Sequence, residues 1–169
     1  TEGIGSSRVT KNFENAKIDD AYSIDDNEAL PILYDLIQNE GLSLGTSCGI
    51  NIAGAIRLGK ELDKYSLAWY EDMIPWQYTN QWKQLKNSVD TPVCTGEDIY
   101  LLEGFKPLID NEAVSIIHPD LATSGGILET KKIGDYAQEK GIPMALHQAG
   151  SPIVAMANVH CAAATEGFI

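Results

Sequence analysis

The sequence has little positive charge: 12 Lys and Arg stand against 24 Asp and Glu, a formal net charge of −12 over 169 residues. Nucleic acid and anionic membrane surfaces are bound through basic patches, so neither is an expected partner. No uninterrupted apolar stretch reaches the roughly 18 residues of a spanning helix, and no signal peptide is legible. The three cysteines, Cys48, Cys94 and Cys161, lie far apart. They make no Cys-x-x-Cys pair, disulfide framework or zinc cluster, which points to a reducing, cytoplasmic setting. The first residue is Thr rather than Met, as expected of a fragment or an excised piece.

What is present is ordinary for a soluble globular chain: 44% hydrophobic and 21% charged residues. The length suits one domain of about 100–200 residues. It falls short of the about 250 residues of a complete (β/α)₈ barrel. The acidity is even: residues 1–63 carry 5 basic and 11 acidic groups and residues 64–169 carry 7 and 13, a net −6 in each part.

Short apolar runs recur every 20–28 residues with helical patterns between them. Residues 21–24 and 42–44 read as short strands. Asp25, with Glu28 three residues on, reads as a helix N-cap and capping box. Leu30, Leu33, Tyr34 and Ile37 follow on one helical face. Pro31 fits that helix poorly and allows a later start. Residues 50–62 and 79–87 read as helices, as do 99–109, with Pro107 stopping or kinking the end. Two more helices are expected, one closed by Gly141 and one opened by Ser151. Further strands are expected at 67–70, 93–94, 114–117, 142–146 and 162–164. The alternation predicts an α/β fold of βα units with a parallel sheet.

Several of these strands end in a polar group: Glu71, Glu97, Asp120, His147 and Glu166. The carboxyl ends of parallel strands face one side, where sites are assembled. Clustered carboxylates repel one another, so a cation is the obvious partner, and hard oxygen ligands favour Mg²⁺ or Mn²⁺. Taken singly, an acidic residue in a loop after a strand is ordinarily just solvated. His118 and His160 read as structural, and Trp69 and Trp82 as core.

The stretches WYEDMIPWQYTNQW (69–82), TPVCTGEDIY (91–100), IIHPDLATSGGILETKKIGDYA (116–137), MALHQAGSP (144–152) and MANVHCAAATEGF (156–168) carry a resemblance. Residues 64–169 resemble the C-terminal barrel part of the mandelate racemase/muconate-lactonizing branch of the enolase superfamily. The resemblance implies strands 4–8 of an incomplete barrel and a Mg²⁺ site that stabilises the enediolate formed when the proton α to a carboxylate is removed. It implies Glu71 and Glu97 as metal ligands. Asp120 and His147 correspond to a dyad in which His147 is the general acid/base, and Glu166 to a group that hydrogen-bonds the substrate carboxylate. Trp76 or Tyr78 would line the pocket. The first metal ligand, the Lys-x-Lys base pair and the capping domain have no counterpart. The implied function is that of a fragment of a dehydratase-like lyase or racemase acting on a small hydroxy acid or sugar acid, inactive as this isolated chain.

Residues 1–63 carry a different resemblance, in EGIGSSRVTKNFE (2–14), IDDNEAL (24–30) and NEGLSLGTSCGINIAGAIRLGKEL (39–62): they are similar to cysteine synthase, a pyridoxal-phosphate enzyme. That resemblance places Gly3 and Gly5 near the cofactor and Ser47 on its ring nitrogen. Read bottom-up, Ser47 is a helix N-cap. The Schiff-base lysine has no counterpart. The two resemblances meet between Lys60 and Tyr65, which implies a chimera whose leading βαβα unit packs on a sheet edge. Open edges also invite a homo-oligomer. A catalytically silent α/β protein is the remaining alternative.

Overall fold

The computed structural model describes residues 9–169. It begins with a short helix α1 (Lys11–Glu14), followed by two long helices, α2 (Asp26–Asn39) and α3 (Thr46–Leu62). β1 (Tyr70–Glu71), α4 (Thr79–Lys86), β2 (Val93–Thr95), α5 (Leu101–Asp110), β3 (Ile116–Ile117), α6 (Ile127–Glu139) and α7 (Pro152–Ala163) complete the order. The architecture is α/β with a parallel sheet, as expected from the alternation of the sequence.

The sheet order is β1-β2-β3, parallel throughout. Parallel bridges continue it from Ile117 to Met144 and from Met144 to Phe168. Five chain segments therefore run side by side in one direction, and among the described residues the sheet does not close. Tyr70, Val93, Ile117 and Met144 join the main core with residues from all the long helices except α7, including Leu36, Ile52, Trp82, Leu85, Phe105, Leu108 and Ile133. Trp69, Cys94, Ile116 and Ala145 form a separate small cluster. Successive strand side chains point to opposite faces, so the sheet has a helix-covered face and a second face on which the site lies.

The strands expected at residues 21–24 and 42–44 do not form, so no leading βαβα unit is present among the described residues. The Leu42 amide donates to the Leu36 carbonyl at 2.9 Å, closing the end of α2 with Gly41 at φ +69°, and is spent before any ladder can use it. Ser23 gives its carbonyl to the Arg57 guanidinium at 3.0 Å. α2 starts where Asp25 caps it, its carboxylate accepting from Asn27 at 2.8 Å, and it accommodates Pro31 in its interior. α2 and α3 pack closely at Gly49, where a Cβ would lie 2.4 Å from the Ala29 carbonyl oxygen.

Candidate active site

The polar groups that end the first strands gather on one side of the sheet. His147 lies at their centre. Its Nδ1 is 2.8 Å from Asp120 Oδ2 and its Nε2 is 2.8 Å from Glu97 Oε2. The Asp120–His147 pair is itself a parallel bridge, so the backbone sets its register. The buried Asp120 is held on its other oxygen by the Ala122 amide at 2.7 Å. From α7, Asn158 donates to the His147 carbonyl at 3.0 Å. Burial pulls the imidazole pKa down. The Asp120 hydrogen bond and the charges of Glu97, Asp120 and Glu71 outweigh it, and the pKa is raised above its ordinary value. Such a ring can hold a proton and pass it on near neutral pH.

Gly96 makes the approach possible. Its φ is +152°, and a Cβ there would sit 2.8 Å from the His118 carbonyl carbon. Glu97 follows directly from this close crossing. Glu71, Asp72 and Glu97 each offer a carboxylate oxygen within 4.8 Å of the others. This set fits a hard divalent cation in donor type, with Glu71 and Asp72 exposed and Glu97 half-buried. Trp69 Nε1–H donates to Glu71 Oε2 at 2.8 Å, and the Thr95 hydroxyl donates to Asp72 Oδ1 at 2.5 Å. Asp72 has φ +48°, a sparsely populated conformation for a side-chain-bearing residue. Beside these carboxylates lies an open cavity of about 470 Å³ whose lining includes Asp72, Trp76, Gln77, Thr95, Glu97 and Asp98.

Glu71, Glu97, Asp120 and His147 thus come together. Glu166 does not. The segment expected as a strand at 162–164 belongs instead to the end of α7, where three consecutive alanines favour helix. The fifth strand position is Phe168, and Glu166 lies two residues before it, exposed in a turn. Glu166 therefore precedes the fifth strand position, whereas Glu71, Glu97, Asp120 and His147 stand at the carboxyl ends of theirs. Ser47 is half-buried in the first turn of α3, whose N-cap is Gly45 and has no side-chain cap. Gly3 and Gly5 lie outside the described residues.

Three residues at the site were not legible as site residues. Asp72 adjoins Glu71. His118, expected to be structural, is buried with Nε2 3.7 Å from Glu71 Oε1. Trp69, expected in the core, holds Glu71. The signal was there: Trp69 and Glu71, like His118 and Asp120, are two residues apart, and period two puts them on one face of a strand.

The family model described as enolase C-terminal domain-like matches residues 8–169 and runs across residues 60–65 without interruption. A D-xylonate dehydratase of Haloferax volcanii is 42% identical over 110 residues, covering 65% of this chain and 27% of that protein. A D-galactonate dehydratase family member of Pantoea ananatis is 32% identical over 151 residues, covering 83% of this chain and 36% of the relative. Among solved structures, an enolase superfamily member from Salmonella Typhimurium superposes with a TM-score of 0.68 at 32% identity, over 70% of this chain and 30% of its own. A mandelate racemase/muconate lactonizing enzyme from Sulfitobacter gives a TM-score of 0.68 at 36% identity over the same shares. The chain spans about a third or less of the length of most of these relatives. No comparison supports a cysteine-synthase segment, a chimera or pyridoxal phosphate. With its parallel strands, its shared carboxylate end and a match over nearly its whole length, the chain belongs to the enolase C-terminal domain-like family.

Proposed function

We propose that this chain is the acid/base and cation-binding part of a sugar-acid dehydratase or racemase, with Mg²⁺ as cofactor and a small hydroxy acid as substrate. The observation that carries this is the placement of His147 between two carboxylates, 2.8 Å from each, beside a cluster of three carboxylates. Glu71 and Glu97 would hold the cation, with Asp72 within reach of it. The bound cation supplies positive charge where negative charge develops on a substrate carboxylate. Asp120 accepts from His147 Nδ1, which fixes the ring and favours its protonated form. His147 Nε2 takes up or delivers the substrate proton. Asp72, Gln77, Thr95, Glu97 and Asp98 on the otherwise apolar cavity wall offer hydrogen-bond partners to a polyhydroxylated substrate. Within this reading the site residues belong to 64–169, while 9–63 act as a supporting pair of helices. The chain alone is inactive, because one base and this ligand set are less than the whole reaction requires.

Thermal unfolding with and without Mg²⁺ tests the reading. Saturating Mg²⁺ is expected to raise the melting temperature, and Glu97→Gln to abolish the rise. An unchanged melting temperature for the unaltered chain would overturn the cation site.

A further inference from the structure

His118 takes no part in the chemistry proposed above, yet its ring touches both limbs of the site. The residue is only 7% exposed. Its Nδ1 lies 3.2 Å from the Ala145 carbonyl oxygen. A carbonyl only accepts, so Nδ1 carries the hydrogen and the ring orientation is fixed. One side of the imidazole meets the Trp69 indole, with centroids 6.2 Å apart and planes at 51°. Trp69 in turn donates to Glu71 Oε2. The ring also meets that of His147 edge to face, at 5.5 Å and 76°. Nε2 faces Glu71 Oε1 at 3.7 Å, beyond hydrogen-bond length.

The neighbours come from two segments: Trp69 and Glu71 from the first strand and the residue before it, Ala145 and His147 from the fourth position in the sheet. The Gly96 backbone passes so close to that of His118 that a Cβ there would lie 2.8 Å from the His118 carbonyl carbon. We propose that His118 is a positioning residue that couples the two limbs of the site. Its Nδ1–H bond to the Ala145 carbonyl, two residues before His147, steadies the segment that carries His147, and on that anchor its side chain packs against Trp69, which holds Glu71. The inference rests on the reading of the carboxylates as a cation site, but its His147 half can be tested without a cation.

Two variants separate positioning from packing. His118→Leu keeps volume and removes the donor to Ala145; His118→Asn keeps a donor at the Nδ1 position. Circular dichroism verifies folding. Calorimetric Mg²⁺ titration then reads the first limb. Neighbours that orient ligands are typically worth about 10–100-fold in metal affinity, so His118→Leu is expected to weaken binding at least about tenfold and His118→Asn distinctly less. Proton NMR of the metal-free protein reads the second limb, through the low-field Nδ1–H signal between His147 and Asp120. His118→Leu is expected to broaden or shift it, and His118→Asn to retain it. Unchanged affinity and signal in His118→Leu, or equal losses in the two variants, overturn the proposal. If the unaltered chain binds no Mg²⁺, the cation reading fails and the NMR signal alone decides the role of His118. If His118→Leu does not fold, His118→Asn against the unaltered chain decides: a partial affinity loss with the signal retained supports positioning, and no loss overturns it.

Discussion

Residues 9–63 and residues 64–169 share one hydrophobic core but use their polar groups differently. In the first part, polar side chains are spent on holding elements together. Arg57 bridges to Glu28 and to the Ser23 carbonyl, Asp35 accepts from Gln81 at 2.7 Å, and Glu40 accepts from the Asn80 amide at 3.1 Å. In the second part, carboxylates face one another at the strand ends, where repulsion is costly unless a proton or a cation compensates. Polar groups that satisfy each other build structure; polar groups left in mutual conflict mark a site.

The largest expected effect breaks the union of the two parts. Trp82 is fully buried in the core that also holds Leu36 and Ile52, and its Nε1–H donates to the Pro75 carbonyl at 3.1 Å. Trp82→Ala is expected to cost about 3–5 kcal/mol, and chemical denaturation should show both parts losing stability together. Separate transitions would show that they fold apart.

A pair of glycines sharpens the comparison at an intermediate level. Gly49→Ala pushes against the Ala29 carbonyl, and Gly96→Ala against the His118 backbone at a positive φ. Each is expected to cost about 1–3 kcal/mol by overpacking. Only Gly96→Ala should also weaken Mg²⁺-dependent stabilisation, because only Gly96 lies between Glu97 and the His118 segment. Calorimetric Mg²⁺ titration of both variants makes the distinction.

The smallest effect lies at the seam. Asp63 accepts from the Asp90 amide at 2.9 Å, the Thr91 amide at 3.0 Å and the Tyr70 hydroxyl at 3.0 Å, tying the end of α3 to the strands. Burial raises its pKa, but these bonds overcome that and lower it to about 2 from 3.8. A depressed carboxyl pKa stabilises the fold above the unfolded value, and the gain is lost as pH falls through the folded one. Asp63→Asn is therefore expected to lower the melting temperature at neutral pH. The gap to the unaltered protein should narrow as pH falls from about 4 to about 2. A gap independent of pH would deny the charge its part.

The sequence carried much of this. Leu30, Leu33, Tyr34 and Ile37 marked α2 by their spacing, but of the four only Leu33 is buried, and the helix packs through Ala29, Ile32, Leu33 and Leu36. Asp25 marked its start despite Pro31. The strand ends at Glu71, Glu97, Asp120 and His147 were readable because each followed a short apolar run. Residues 42–44 looked alike as a pattern, but a run of three apolar-flanked residues has no ladder unless a neighbouring strand offers one. Leu42 found the Leu36 carbonyl instead. The strand expected at 162–164 failed for a related reason: these alanines follow a helical stretch, and helix propagation needs no partner, whereas a strand does.

By itself the sequence determined the alternation of elements, the acidity and the order in which polar groups arrive at strand ends, because these depend on residue types and intervals along one chain. Only the tertiary structure decided which of those groups meet. Register between strands is set by hydrogen bonds across the sheet, and it brought His147 to Asp120 while leaving Glu166 in the turn before the fifth strand position. Packing across the second face decided the rest, making His118, read as structural, and Trp69, read as core, neighbours of Glu71.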